Sequence, residues 1–263
     1  NKESKRMKLV SYRLKNSETA YRMGVMVGDK VADLQEGYRA ILFSKQQIEE
    51  VNTLHEKLPA DPGAFYHIGQ PAIDKAHDAF QYITEYQDQL PFIYEREQVR
   101  LGTPVPQPRK IICIGRNYVE HAAEMESDIP EFPVLFTKYA TTLLGPEDDI
   151  EKTPLTEKLD YEVELTLVIG KTAKEVKKEN AYDYIGGYTI GNDTTARDIQ
   201  KRTVQWLQGK AIDRTSPIGP WVVTPDEIKD PANLNVRTYV NGEKRQDSNT
   251  SKLIFDIPFL IEF

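Results

Sequence analysis

The stretch LDYEVELTLVIGK, Leu159–Lys171, constrains the fold more than any other part of the chain. It reads as a β-strand, in which successive side chains point to opposite faces. Val163, Leu165, Leu167 and Ile169 then share one apolar face, expected to turn toward a core, while Glu162 and Glu164 share the other. A rise of ~3.3 Å per residue sets the two glutamate Cβ atoms roughly 6.5–7 Å apart. Like charges that close repel unless something positive lies between them. A hard divalent cation held by oxygen atoms meets that need.

A third oxygen ligand is offered by GYTIGNDTTARDIQ, where Asp193 falls at the end of an apolar strand and the start of a helix. Three carboxylates without a Cys or His partner suit Mg2+ or Mn2+ rather than Zn2+. By spacing alone, a solvated strand face with Asp193 as a helix cap stays open.

The rest of the chain frames this strand. Its 263 residues suffice for one large domain or two modest ones. A net charge of −7 argues against non-specific binding to nucleic acid or to an anionic membrane. No apolar run reaches the ~18 residues of a membrane span. The start, NKESKRMKLVSY, lacks the apolar stretch of a signal peptide, and Met7 is either a native start or follows a natural leader. The single cysteine, Cys113, forms no internal disulfide, which points to a reducing cytoplasm and to a small core residue.

MKLVSYRL and AYRMGVMVGDKVADL read as short strands joined by tight turns. Residues 45–90 read as helical, with Ile73, Ala76, Phe80 and Ile83 along one stripe. His55, His67 and His77 have no metal-ligand spacing. LGTPVPQPRK (101–110) carries three prolines and reads as an extended linker. The expected organisation is α+β: a small α+β N-terminal domain over 1–103, then a mostly-β domain over 104–263. In that second part KIICIG reads as a short buried strand, and Asn241–Gly242 as a hairpin turn. Helices are expected over about 118–125 and 195–207. Asn117 and Glu120 match a capping box for the first.

His121 and Glu124 lie at i, i+3 on that first helix, where a carboxylate orients an imidazole into a general base. Arg197 and Gln200 share a face in the second. Lys210 and Lys138 read either as solvated lysines or as cations beside a metal. Trp206 and Trp221 read as core. The chain contains no phosphate-loop, dinucleotide-fold, serine-elbow or zinc-site pattern.

Taken in order, KIICIGRNYVEHAAEM, FPVLFTKY, LDYEVELTLVIGK, YIGGYTIGNDTTARDIQKR, GKAID, SPIGPWVVT and VNGEKRQDSNTSKLIFDIPFLI resemble the fumarylacetoacetate hydrolase superfamily from about residue 104 onward. The acylpyruvase and oxaloacetate decarboxylase branch is the most similar. Residues 1–100 resemble, more loosely, the small N-terminal domain of bacterial members. The resemblance implies a mixed β-roll catalytic domain, a homodimer, and Mg2+ or Mn2+ held by Glu162, Glu164 and Asp193. It implies Lys210 as the active-site lysine and His121 with Glu124 as a dyad on a lid helix. Arg116, Lys138, Arg197 and Gln200 are then expected around a short 2-oxo acid. The implied reaction cleaves a C3–C4 bond through a pyruvate enolate, by oxaloacetate decarboxylation or acylpyruvate hydrolysis. Isomerisation, hydration or decarboxylation of 2-oxo-dienoates, and a non-catalytic protein that retains the metal, are the alternatives. Members continue past the IPFLI helix into a strand and a Thr-Gly-Thr-Pro-type loop, so part of the substrate-carboxylate site is expected beyond Phe263.

Overall fold

The computed structural model describes residues 6–124 and 128–263. Residues 1–5 of the leader, and Met125 at the end of the expected lid helix, lie outside the described residues. Three antiparallel strands open the fold: β1 (Lys8–Leu14), β2 (Arg22–Val27) and β3 (Lys30–Asp33). The turn between β2 and β3 uses Gly28 at φ 62°, a conformation that costs glycine little.

Five helices follow: α1 (Leu34–Ser44), α2 (Ile48–Asn52), α3 (Leu54–Lys57), α4 (Pro62–Ile68) and α5 (Gln70–Tyr86). Asp33 caps α1 by accepting a hydrogen bond from the Glu36 amide, and Asp61 caps α4 through the Ala64 amide. The expected stripe on α5 is buried at Ile73, Ala76 and Ile83, with Phe80 packed at its margin. Gly37 lets α1 close on α5, because a Cβ there would meet Ile83 Cδ1 at 2.5 Å. Leu9, Met23, Leu34, Leu54, Leu58 and Phe65 complete this core.

The chain returns to the sheet through β4 (Ile93–Tyr94) and β5 (Val99–Gly102). Residues 103–110 form neither helix nor strand. Then come β6 (Ile111–Gly115), α6 (Val119–Glu124), β7 (Val134–Lys138), β8 (Leu143–Leu144), β9 (Leu159–Asp160), β10 (Val163–Ile169) and β11 (Ile185–Asn192). The described residues end with β12 (Thr195–Ala196), α7 (Arg197–Gln200), α8 (Leu207–Lys210), β13 (Ser216–Val223), β14 (Asn235–Val240), β15 (Glu243–Asn249) and α9 (Ile257–Glu262).

The result is a mixed α+β fold around one nine-stranded sheet, with main order β10-β11-β13-β1-β2-β3-β4. Its pairings are antiparallel apart from β8 on β13. Backbone hydrogen bonds run straight across the boundary expected near residue 103: Lys8 pairs with Val223 and Leu9 with Val222. A second stitch joins the Gln70 amide to the Gly170 carbonyl at 2.8 Å.

Four local expectations are corrected. The strand in KIICIG forms, but as half of a two-stranded ribbon with β7, so it has one neighbour and Ile112 remains 62% exposed. On β10, Leu165 and Leu167 pack against Ile185, Tyr188 and Ile257 as expected, whereas Ile169 is exposed. It is the last residue of β10, beyond a register shift at which β11 carries an extra residue, Gly186. The helix expected over 195–207 is broken. Thr195 and Ala196 pair with β9, and α8 folds back so closely on α7 that a Cβ at Gly209 would meet the Gln200 amide at 2.6 Å. Nor does Asn117 cap α6. Its side chain exchanges two hydrogen bonds with the Phe255 backbone, while Glu120 turns to Lys252 and Ser248. The Asn241–Gly242 hairpin forms as expected, both residues taking positive φ.

Candidate metal centre and active site

The β10–β11 ladder builds the centre. Val163 pairs with Asn192, so the next residue along each strand brings Glu162 to Asp193. The Asp193 amide donates to the Glu162 carbonyl at 2.8 Å, and the Glu162 amide donates to Asn192 Oδ1 at 2.9 Å. Gln246 reaches in from β15 to accept from the Val163 amide. With the backbone held this way, one carboxylate oxygen from each of Glu162, Glu164 and Asp193 lies within 4.8 Å of the others.

Three cations surround the carboxylates. Lys138, at the end of β7 and 4% exposed, places Nζ 2.8 Å from Asp193 Oδ1 and donates to the Thr194 carbonyl. Lys210, in α8 and 2% exposed, places Nζ 3.0 Å from Glu162 Oε2 and 2.8 Å from Asp193 Oδ2. Its ammonium also sits 4.8 Å from the Phe136 ring centre, and Phe136 meets Trp206 edge-on. Arg197 places Nη1 2.7 Å from Glu162 Oε1 and donates from Nε to Asp160 Oδ2 at 2.9 Å. Gln200 accepts from the same guanidinium.

Each carboxylate oxygen of Glu162 and Asp193 thus faces a protein cation. Among the described residues, no hydrogen bond or ion pair reaches the Glu164 carboxylate. Burial, then repulsion from Glu162 and Asp193, pushes Glu164 up to about 8, with Lys210 pulling the other way. Burial also opposes ionisation of Asp193, but Lys138 and Lys210 outweigh it and hold that carboxyl below its ordinary range. Burial works against the charge on Arg197 too, and Glu162 and Asp160 overcome it. Nearby, burial pushes Tyr118 and Cys113 each up to about 12.

The donor set fits a hard divalent cation. It is all oxygen, and the uncompensated Glu164 supplies the charge such an ion would neutralise. The fold therefore brings together Glu162, Glu164, Asp193, Lys138, Lys210, Arg197 and Gln200. His121 and Glu124 do meet on α6, Nδ1 to Oε2 at 4.0 Å, but both are exposed and no hydrogen bond or ion pair ties them to the carboxylates. Arg116 is likewise exposed, lying 5.6 Å from the Trp206 ring centre. Trp206 is half-buried rather than core, and a Cβ at Gly115 would strike its ring. Sequence reasoning missed Asp160 and Phe136. Asp160 was within reach, since strand alternation aligns 160 with 162 and 164.

Residues 110–263 match the family described as fumarylacetoacetate (FAA) hydrolase C-terminal. The chain belongs to this family. Among curated relatives, it is 41% identical over 249 residues to the oxaloacetate tautomerase YisK of Bacillus subtilis. That match covers 91% of this chain and 78% of the relative. It is 39% identical to the mitochondrial oxaloacetate tautomerase fahd2 of Xenopus laevis, across 81% of this chain and 66% of that protein. The maleylpyruvate hydrolase of Sphingobium sp. SYK-6, solved with manganese(II) and pyruvate, superposes with a TM-score of 0.71 at 30% identity. That superposition covers 97% of this chain and 81% of the other. No helix among the described residues is long and apolar enough to cross a membrane.

Proposed function

We propose that this fumarylacetoacetate hydrolase family member enolises a short 2-oxo acid, with oxaloacetate as substrate and keto–enol exchange at C2–C3 as the reaction. The carrying observation is the clustered trio Glu162, Glu164 and Asp193, half-buried at its glutamates and buried at Asp193, with Lys210 bonded to two of its members. The names of the tautomerase relatives support the choice of substrate. A Mg2+ or Mn2+ ion held by the three carboxylates would supply Lewis acidity toward the C1 carboxylate and C2 oxygen of the substrate.

The chain's own groups supply the rest. Lys210 holds Glu162 and Asp193 in place and puts a desolvated ammonium where negative charge grows on the C2 oxygen. Lys138 fixes the far side of Asp193. Arg197 and Gln200 present a guanidinium and an amide to a substrate carboxylate. Phe136 and Trp206 wall off water behind Lys210. His121, oriented by Glu124, carries the proton to and from C3 once α6 closes over the centre.

Cleavage of the C3–C4 bond is the second reading, by decarboxylation or by attack of water on a C4 carbonyl. The His121–Glu124 pair favours it, as does the maleylpyruvate hydrolase likeness. One experiment separates the two. Oxaloacetate, acetylpyruvate and fumarylpyruvate are incubated in D2O with Mg2+ or Mn2+, and C3–H exchange and pyruvate release are followed by NMR. Fast, EDTA-sensitive exchange without matching pyruvate supports tautomerisation. Pyruvate release as fast as exchange supports cleavage, and its loss in His121→Ala would assign the water to the dyad. Buffer-rate exchange with no pyruvate leaves a non-catalytic binding protein. The homodimer belongs to this proposal too, and light scattering checks it.

A further inference from the structure

We propose that Asp160 is a positioning residue that holds Arg197 back from full pairing with Glu162, and so sets how tightly the carboxylate trio takes a divalent cation. This inference rests on the metal reading above and concerns a residue outside the trio.

The local backbone makes the arrangement rigid. Strands β9 and β12 form a two-residue ladder, Leu159 with Ala196 and Asp160 with Thr195. The Arg197 amide donates to the Lys158 carbonyl at 2.9 Å. These bonds set Asp160 and Arg197 side by side before any side chain is considered. Both Asp160 oxygens are then engaged: Oδ1 accepts from the Tyr161 amide at 3.0 Å and Oδ2 from Arg197 Nε at 2.9 Å. The guanidinium meets Glu162 through Nη1, at 2.7 Å to Oε1. One arginine is therefore divided between two carboxylates.

A guanidinium is a planar fork that matches a carboxylate best through two parallel bonds. Freed from Asp160, Arg197 would close on Glu162 as such a fork and neutralise a ligand. The charges tell the same story. Glu162, Glu164 and Asp193 are opposed by Lys138, Lys210 and Arg197, three against three. Asp160 is the fourth acid, and it makes the cluster one charge more negative toward an arriving cation.

A double-mutant cycle on Mn2+ binding tests this. Free Mn2+ is titrated by EPR with the wild-type chain, Asp160→Asn, Arg197→Gln and the double variant at fixed pH and salt. Asp160→Asn is expected to weaken Mn2+ binding on the order of tenfold, the lost charge together with Arg197 closing on Glu162. In the Arg197→Gln background the same change should shrink to about twofold, the direct field of a partly exposed carboxylate. Asp160→Glu should recover part of the loss, and matched thermal midpoints exclude unfolding as its source. Wild-type affinity in Asp160→Asn, or an equal penalty with and without Arg197, would overturn the inference. A wild-type chain that binds no Mn2+ would instead bring down the metal reading itself.

Discussion

Asp33 and Glu164 are both carboxylates drawn into the same sheet, and they live in opposite circumstances. Asp33, at the end of β3, accepts from the Tyr12 hydroxyl at 2.5 Å and from Arg22 at 2.6 and 3.2 Å. It also caps α1 through the Glu36 amide at 2.9 Å. Burial and the Asp33 charge keep the Tyr12 hydroxyl protonated well above the usual phenol range, and the hydrogen bond to Asp33 holds Arg22 firmly charged. Glu164, on β10, has no such partners among the described residues, only the repulsion of Glu162 and Asp193 and the smaller pull of Lys210. A buried carboxylate with its bonds complete serves the fold. One left incomplete by a fold that can complete such bonds elsewhere is held ready for something that is not protein.

The sharpest way to break this contrast is substitution. Glu164→Gln should lower metal-dependent turnover by about 1,000-fold or more, the scale of losing a charge-stabilising group, while the protein stays folded. Near-wild-type activity, or activity that persists in EDTA, would erase the distinction. Asp33→Ala should do the reverse. Loss of the cap, of the buried Tyr12 partner and of the partly exposed Arg22 pair is expected to cost about 3 kcal/mol of stability, read in urea denaturation. Mn2+ affinity should stay unchanged in the same variant, and a shifted affinity would mean that the two regions are coupled.

The smallest expected effect is in pH. The Glu164 carboxyl has a folded-state pKa of about 8 against an ordinary 4.5, so the fold favours its protonated form. The associated stability is complete below about 4.5 and drains away as pH rises through about 8. Metal-free protein should therefore lose a few degrees of thermal midpoint between those limits, and Glu164→Gln should not follow. Affinity for Mn2+ should climb by up to about tenfold per pH unit over the upper part of the range, because binding releases one proton. A flat profile in both would mean that Glu164 is already ionised by another partner.

The two regions were also unequally legible. Period-two and 3.6-residue patterns suffice for β1–β3 and for the α5 stripe, because each of those faces buries what the pattern says it buries. Glu162 and Glu164 emerged from alternation in the same way. Joining Asp193 to them depends on the β10–β11 register, a long-range pairing that local pattern does not encode and that the family resemblance supplied. Lys138 and Lys210 were harder still, since a lysine is solvated by default and only the carboxylates around these two make their burial tolerable. The misreadings share a cause. Asn117 fits a cap locally but is claimed by Phe255, 138 residues away, and Thr195 fits a helix locally but is claimed by β9. Where tertiary hydrogen bonds compete with local propensity, propensity loses.

The ladder between β1 and β13 has a consequence for how such a molecule comes into being. The Met7 amide donates to Thr224 Oγ1 across 217 positions of chain, and Lys8 and Leu9 find their partners at Val223 and Val222. A ribosome delivering residues one at a time will have released the first strand long before its β13 neighbour exists. Until then, the Lys8–Leu9 end of β1 is an open edge exposed to stray pairing.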